Sequence, residues 1–450
     1  MTTIVKKIEP RRLKGFRDYL PDLMEARSLF QSKIRQHAKL AGFREIGTPV
    51  LEYAETLLGQ GGEETDKQVY RFEDHGGRKV AMRFDLTVPF ARFVAEHQGE
   101  LVFPFKRLQI GDVWRGENTQ KGRYREFCQC DLDIIGVDSV NADAEIISCF
   151  YRILCGFDIG GFTIRVGNRK LLSSLLGAVF PDLSEETETQ ALIALDKLDK
   201  IGPEAVVELL AKLSPSSHVK LRELIKGLTS KDEKGDTDKT WIKSLIVNNS
   251  EAVSELARMD LLMNVMRSVV AQTPGGTVRL DLSIARGLGY YTGVVFETTL
   301  DSLPGFGSIS SGGRYNNLAA RFTNRELPGV GGSIGLDRLL AGLEEMGKIT
   351  KSQGDMVFIA IATEDAVTSA LELANTLRAA GVGCDLGLTT GKVGNQFKHA
   401  DRLGYRRVVT LGSEEVRTGT YNLKDMVTGE ERRGLLRDKI ISELSGSSEG

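Results

Sequence analysis

Hydrophobic positions recur along this chain with two different periods. Between residues 22 and 41, Ala26, Phe30, Ile34, Ala38 and Ala41 fall on one stripe, and Gly42 closes the helix that this spacing predicts. From there to about residue 167 short apolar–polar alternations predict strands, separated by turn signals such as DHGG at 74–77. Residues 168–272 return to helical spacing in LLSSLLGAVF, ALIALDKL and AVVELLAKL; inside them the polar stretch TSKDEKGDTD (229–238) reads as a mobile loop. Strand patterns resume over 277–345. A polar connector, GKITKSQGD (347–355), leads to MVFIAIA as a strand and Thr363 as a helix N-cap. Ala366, Ala370, Ala374 and Leu377 then line a helix that Gly381 ends, and GCDLGL resumes a strand. The final SGSSEG is expected to be disordered, and no internal repeat is visible.

Alternation also sorts the polar residues. In KVAMRFDLTVPFAR it places Arg83, Asp85 and Thr87 on one face of a strand and Met82, Phe84 and Leu86 on the other. In YREFCQCDLDIIG, Phe127, Gln129, Asp131 and Asp133 share a face, with Cys128, Cys130, Leu132 and Ile134 opposite. The CxC pair therefore reads as buried core, not as a metal site. In LQIGDVWRGEN, Arg115 and Glu117 stand where a strand runs into the loop NTQKGRYR. Each group mixes a carboxylate with arginine, amide or hydroxyl. Carboxylates and a hydroxyl suit an ammonium, arginines suit carboxylate and phosphate, and Phe127 suits a base, so a small zwitterion and a polyphosphate fit together.

Composition narrows the classes. The 450 residues predict two or three domains, and 41% hydrophobic with 27% charged residues is ordinary for a globular protein. A net charge of −2 excludes a protein that coats nucleic acid along its length, so such contacts must come from local patches. The start, MTTIVKKIEPRR, lacks a signal-peptide core, and MVFIAIA is too short to span a membrane. Five scattered cysteines make neither a disulfide framework nor a zinc motif, so a reduced, cytoplasmic protein is expected.

The stretch ARGLGYYTGVVFE (285–297) sets Arg286 before Tyr290 and Tyr291 at a glycine-hinged strand entry. Alone, it reads first as a hairpin with an exposed arginine and half-buried tyrosines. In company it is more specific. LKGFRDYLP (13–21), GFREIGTPVLE (42–52), RFDLTVPFAR, VWRGENTQKGRYREFCQCDLDIIG, ARGLGYYTGVVFE, GGRYNNL (312–318), GGSIGLDRLLAGL (331–343) and VGNQFKHADRLGYRRVVTLG (393–412) follow one another in an order and spacing that resembles the histidyl-tRNA synthetases, a class II aminoacyl-tRNA synthetase family.

The resemblance implies an α+β fold: an antiparallel class II sheet with flanking helices, a helical insertion, and a C-terminal α/β anticodon-binding domain. The expected boundaries are 1–167 for the first catalytic part, with motifs 1 and 2, and 168–272 for the insertion. Residues 273–346 form the second catalytic part, with the histidine segment and motif 3, 355–436 the anticodon-binding domain and 437–450 a tail. It further implies a homodimer that uses ATP with Mg²⁺ to join L-histidine to tRNA-His. Asp85 and Thr87 would hold the α-amino group, Gln129 and Arg286 the substrate carboxylate, and Asp133 and Tyr291 the imidazole, with Tyr290 as pocket wall. Arg115 would hold the α-phosphate, Glu117 and Phe127 the adenine, and Arg338 the distal phosphates. Arg115 and Arg286 would then be the catalytic pair, and no residue is named for the metal. Two positions depart from the family pattern: Gly289, where many relatives have aspartate, and Asn118-Thr119, where bacterial relatives often have Arg-Pro. The rival reading is a non-catalytic histidine sensor, the regulatory subunit of ATP phosphoribosyltransferase. The retained Arg286 and the domain over 356–435 argue against it.

Overall fold

The computed structural model describes residues 8–59, 63–285, 291–349 and 356–445. The chain divides into two compact units, the second beginning at Ile349.

The first unit is built on an eight-stranded sheet. Its strands are β1 (Arg44–Glu45), β2 (Phe105–Trp114), β3 (Glu126–Ile135), β4 (Phe162–Asn168), β5 (Thr277–Leu280), β6 (Val294–Leu300), β7 (Ser310–Tyr315) and β8 (Gly329–Gly335). They lie in the order β1-β2-β3-β8-β7-β6-β4-β5. The centre is antiparallel, and only the outer pairs β1–β2 and β4–β5 run parallel. A pleated strand shows alternate side chains to opposite faces. On β3, Cys128, Cys130, Leu132 and Ile134 are buried on the face covered by helices, where Gln31 of the helix Pro21–Leu40 reaches the Cys128 sulfur at 3.6 Å. The helices Val140–Cys155 and Leu336–Glu345 share that side, and the opposite face of the sheet floors a cleft. All five cysteines are free thiols.

The strand expected to carry Arg83, Asp85 and Thr87 stops at Met82. Thr87 begins the helix Thr87–Glu96, whose apolar residues Val88, Phe90, Ala91 and Val94 are buried with helical spacing. Pro89 is tolerated in its first turn, and the Asp85 carboxylate accepts the Val88 N–H at 3.0 Å, which satisfies one of the free donors of a helix start. The alternation over 82–87 is thus the turn into a helix.

Between β4 and β5 the chain is helical, from Arg169–Val179 to Ser250–Gln272, with Asn168, Ser184, Asp238 and Asn249 as side-chain caps. The stretch 229–238, expected as a mobile loop, is instead a tight turn. Asp232 accepts the N–H groups of Lys234 and Asp236, and Thr237 bridges back to Lys231. Asp236 and Thr237 are buried because they dock on β5: Asp236 accepts the Leu280 N–H and pairs with Arg267, and Thr237 donates its N–H to the Leu280 carbonyl.

The second unit is a five-stranded sheet. Its strands β9 (Val357–Ile361), β10 (Cys384–Leu386), β11 (Arg407–Leu411), β12 (Thr420–Asp425) and β13 (Glu431–Leu436) lie in the order β10-β9-β11-β12-β13. Thr363 occupies an N-cap position, but it precedes a short 3₁₀ turn, Glu364–Ala366, and caps no N–H; the helix itself starts at Val367. Residues 437–445, expected in the tail, form the helix Arg437–Ser445, because Ile440 and Leu444 are buried in this unit's core. Residues 446–450, where disorder was expected, lie outside the described residues.

Candidate active site

The cleft on the sheet has a volume of about 1340 Å³. It is lined by every described candidate: Asp85, Thr87, Arg115, Glu117, Phe127, Gln129, Asp133, Tyr291 and Arg338. Arg286, Gly289 and Tyr290 lie outside the described residues.

The floor comes from β3. Its pleat turns Phe127, Gln129, Asp131 and Asp133 to one side, and the fully buried Arg107 of β2 stands against the last two. Arg107 lies 2.8 Å from an Asp133 oxygen, close but not aligned as a hydrogen bond, and 3.4 Å from Asp131. The other Asp133 oxygen accepts the Tyr315 hydroxyl at 2.5 Å. Thr87 donates to Asp131 at 3.5 Å. Asp131 and Asp133 thus share one buried cation. Burial, above all, pushes Asp85 up to about 6 and Asp133 up to about 7, and raises Asp131 as well. Arg107 opposes the shift at each of them. Asp85 Oδ2 and Gln129 Oε1 are buried and accept no hydrogen bond from the described residues. A cationic ligand entering here would meet acceptors already in place, and its charge would draw the carboxyls into their ionised form.

The rim is cationic and aromatic. Arg115 follows the end of β2, donates Nε to the Phe84 carbonyl at 2.8 Å, and lies over the Phe127 ring at 5.2 Å. The residue lines the cleft. Glu117 accepts a very short bond from Arg123 in the same loop. Arg338, in the first turn of Leu336–Glu345, donates to the Phe306 carbonyl and lies over the Phe306 ring.

Glycines thin the sheet here. Gly331 faces Asp133 across the β3–β8 pairing on the cleft side, and Gly312 faces Gly332 across β7–β8 on the helix side with Leu132. A Cβ on Gly312 would sit 2.3 Å from the Gly331 carbonyl and one on Gly332 2.7 Å from the Ser311 carbonyl, and both would meet the Phe296 ring. The close approach of these strands leaves no room for side chains at the three positions.

Arg83, grouped by alternation with Asp85 and Thr87, does not reach the cleft. It is buried away from it, donating to the Thr48 carbonyl at 2.7 Å and the Asp112 carbonyl at 2.9 Å. Sequence reasoning missed Arg107 and Tyr315, which hold Asp133. The signal for Arg107 was the same alternation, since Arg107 and Gln109 stand two apart on β2 and are bonded at 3.1 Å. Among the described residues no group of three His, Cys, Asp or Glu side chains could hold a metal ion. No helix among them is long and apolar enough to cross a membrane.

A mainly antiparallel sheet with a polar, arginine-rimmed cleft on one face, followed by a separate α/β unit, is the architecture of a class II aminoacyl-tRNA synthetase. The comparisons carry this further. A histidyl-tRNA synthetase family profile matches residues 15–339, and an anticodon-binding-domain profile matches 356–446. The histidine–tRNA ligase of Rhodopirellula baltica is 43% identical over 94% of this chain and 95% of its own length. That of Wolinella succinogenes is 41% identical over 94% and 96%. The crystal structure of histidyl-tRNA synthetase from Nostoc sp. PCC 7120 superposes with a TM-score of 0.83 at 30% identity, covering 98% of this chain and all of that one. The chain belongs to the histidyl-tRNA synthetase family.

Proposed function

We propose that this protein attaches L-histidine to tRNA-His in two steps within the cleft. One observation carries the reading most: buried acceptors, Asp85 Oδ2 and Gln129 Oε1 beside Asp133, floor a cleft whose rim presents Arg115 and Arg338. Asp85 and Thr87 take the α-amino group, Gln129 and Arg286 serve the carboxylate, and Asp133 and Tyr291 read the imidazole, with Tyr290 assigned to the same pocket. Phe127 and Glu117 receive the adenine, Arg115 the α-phosphate and Arg338 the distal phosphates.

In the first step a histidine carboxylate oxygen attacks the α-phosphorus of ATP. The bond to the β-phosphate oxygen breaks, pyrophosphate leaves, and histidyl-adenylate remains. Negative charge builds on the α-phosphate oxygens, where the positive charges of Arg115 and Arg286 would stabilise it. In the second step a terminal ribose hydroxyl of the tRNA attacks the acyl carbon, AMP leaves, and the hydroxyl proton goes with it or to solvent. Mg²⁺ would enter with ATP as part of that substrate. Imidazole selection rests on buried hydrogen-bonding groups, which reject analogues lacking them better than apolar shape does. The C-terminal unit contributes tRNA affinity. A cytoplasmic homodimer completes the reading.

ATP–pyrophosphate exchange against a panel of amino acids tests it. Exchange with histidine alone is expected. Histidine binding with no exchange would instead favour the histidine-sensor reading, and exchange with another amino acid would refute the assigned substrate.

A further inference from the structure

The N-terminal segment LKGFRDYLP has no part in the steps above, yet it touches both walls of the ATP half of the cleft. Gly15 adopts a left-handed φ of +90°, and its carbonyl accepts the Arg125 N–H at 2.8 Å. A Cβ there would meet the Arg125 and Thr119 side chains at 2.7 Å. Arg17 donates from one terminal nitrogen to both Glu344 carboxylate oxygens at 2.8 and 3.0 Å, and from the other to the Tyr124 hydroxyl at 3.1 Å. Tyr124 belongs to the β2–β3 loop that carries Glu117; Glu344 lies on the helix whose first turn carries Arg338. One guanidinium therefore ties the loop to the helix. Tyr19 makes the second tie. Its hydroxyl donates to Asp337 Oδ1, while Asp337 Oδ2 accepts the Cys128 N–H at 2.6 Å, between Phe127 and Gln129. Arg27 lies over the Tyr19 ring at 4.8 Å and pairs with Asp112 at 2.6 Å, which fixes the ring.

We propose that Arg17 and Tyr19 are positioning residues for ATP, bracing the Glu117 loop and the Arg338 helix at the spacing the nucleotide spans. The inference rests on the ligase reading of the cleft. Its specificity for ATP follows from which elements are tied. Glu117, Phe127 and Arg338 sit on braced elements, and of the histidine groups only Gln129, next to Cys128, adjoins a tie. Asp133 and Asp85 are held by Arg107, Tyr315 and the Val88 N–H, none of which the segment touches. A site whose groups are fixed in advance needs no reorganisation when the substrate arrives, and loosening it weakens binding of the part it spans.

The experiment is steady-state pyrophosphate exchange on the full chain, with KM for ATP and for histidine measured separately. Arg17→Ala should raise KM for ATP about tenfold, the factor of one lost charge-assisted hydrogen-bond pair. KM for histidine should stay within about twofold. Arg17→Lys should recover part of the loss, since it keeps the charge but has no second nitrogen to hold Tyr124 and Glu344 at once. Tyr19→Phe keeps the ring and deletes only the hydroxyl; with Glu344→Gln it should shift KM for ATP the same way, and these two decide the matter if Arg17→Ala does not fold. Unchanged constants, or equal rises in both, overturn the brace while the ligase reading stands. Absence of exchange in the unaltered protein overturns both.

Discussion

Asp133 and Gly331 face each other across the β3–β8 pairing so closely that a Cβ on Gly331 would lie 1.9 Å from Asp133 Oδ1. The carboxylate occupies the space a side chain would take. Gly331→Ala should therefore displace Asp133 from Arg107 and Tyr315 and raise KM for histidine about tenfold or more, with a stability loss of ~1–3 kcal/mol from overpacking. Asp133→Ala should raise KM for histidine by a similar factor, ~1.5–3 kcal/mol for a lost charged hydrogen bond, and leave KM for ATP nearly unchanged. Exchange kinetics beside thermal melts check both; a stability loss with an unchanged histidine KM would make Asp133 structural only.

Asp85 is pushed up by burial to about 6 from an ordinary 3.8. Below pH 4 the carboxyl is protonated in both folded and unfolded chains. As pH rises from there the unfolded chain releases the proton first, so the group's contribution to stability declines until about pH 6, where the folded chain has released it too. Asp85→Asn, which cannot ionise, should gain on the parent across this window, by up to ~3 kcal/mol above it. Denaturant melts at pH 4 and pH 7 measure the difference. A pH-independent gap between the two proteins would refute the raised carboxyl.

Arg286→Ala should slow histidyl-adenylate formation by ~10²–10³-fold, as for loss of one oxyanion-type donor, while histidine affinity falls less. Lysine should rescue poorly because it lacks the planar fork. Single-turnover formation of the adenylate, with histidine affinity measured apart, separates the two effects; a normal rate would return ARGLGYYTGVVFE to an ordinary hairpin.

In the second unit Lys398 and Arg402 are exposed on the helix Val393–Leu403, with Lys392 exposed at its N-cap. Replacing Lys398 and Arg402 by alanine should weaken tRNA charging at low tRNA concentration and lower the salt dependence of binding by roughly one counterion for each phosphate no longer neutralised. Pyrophosphate exchange should not change. A parallel fall in exchange would place these residues in adenylate formation instead.

The sequence was most readable where two unlike faces alternate. On β3 one face meets helices and the other a polar cleft, so the period of two separated Cys128 and Cys130 from Gln129 and Asp133. Asp85 and Thr87 line the cleft from the start of a helix and not from a strand, since a helix start preceded by a buried turn mimics alternation for six residues. Arg107 stayed hidden because a buried arginine looks like a solvated one until its partners are known, and those lie on a neighbouring strand. Asp236 was hidden for the same reason: polarity in TSKDEKGDTD does not tell whether a carboxylate faces water or Leu280. Partners distant in sequence decide such cases, and no local period records them.

β4 lies between β6 and β5, and both partners follow the whole helical segment in the chain. During translation, then, β4 leaves the ribosome with neither edge paired, and β3 has only β2 beside it until β8 is made. A nascent chain of this protein carries three unsatisfied strand edges, two on β4 and one on β3, for as long as residues 169–276 are being synthesised, which favours aggregation and chaperone capture. A series of C-terminally shortened chains should accordingly stay insoluble until the cut passes Gly335, then turn soluble abruptly; a gradual recovery from residue 169 onward would show that the helical segment shields those edges by itself.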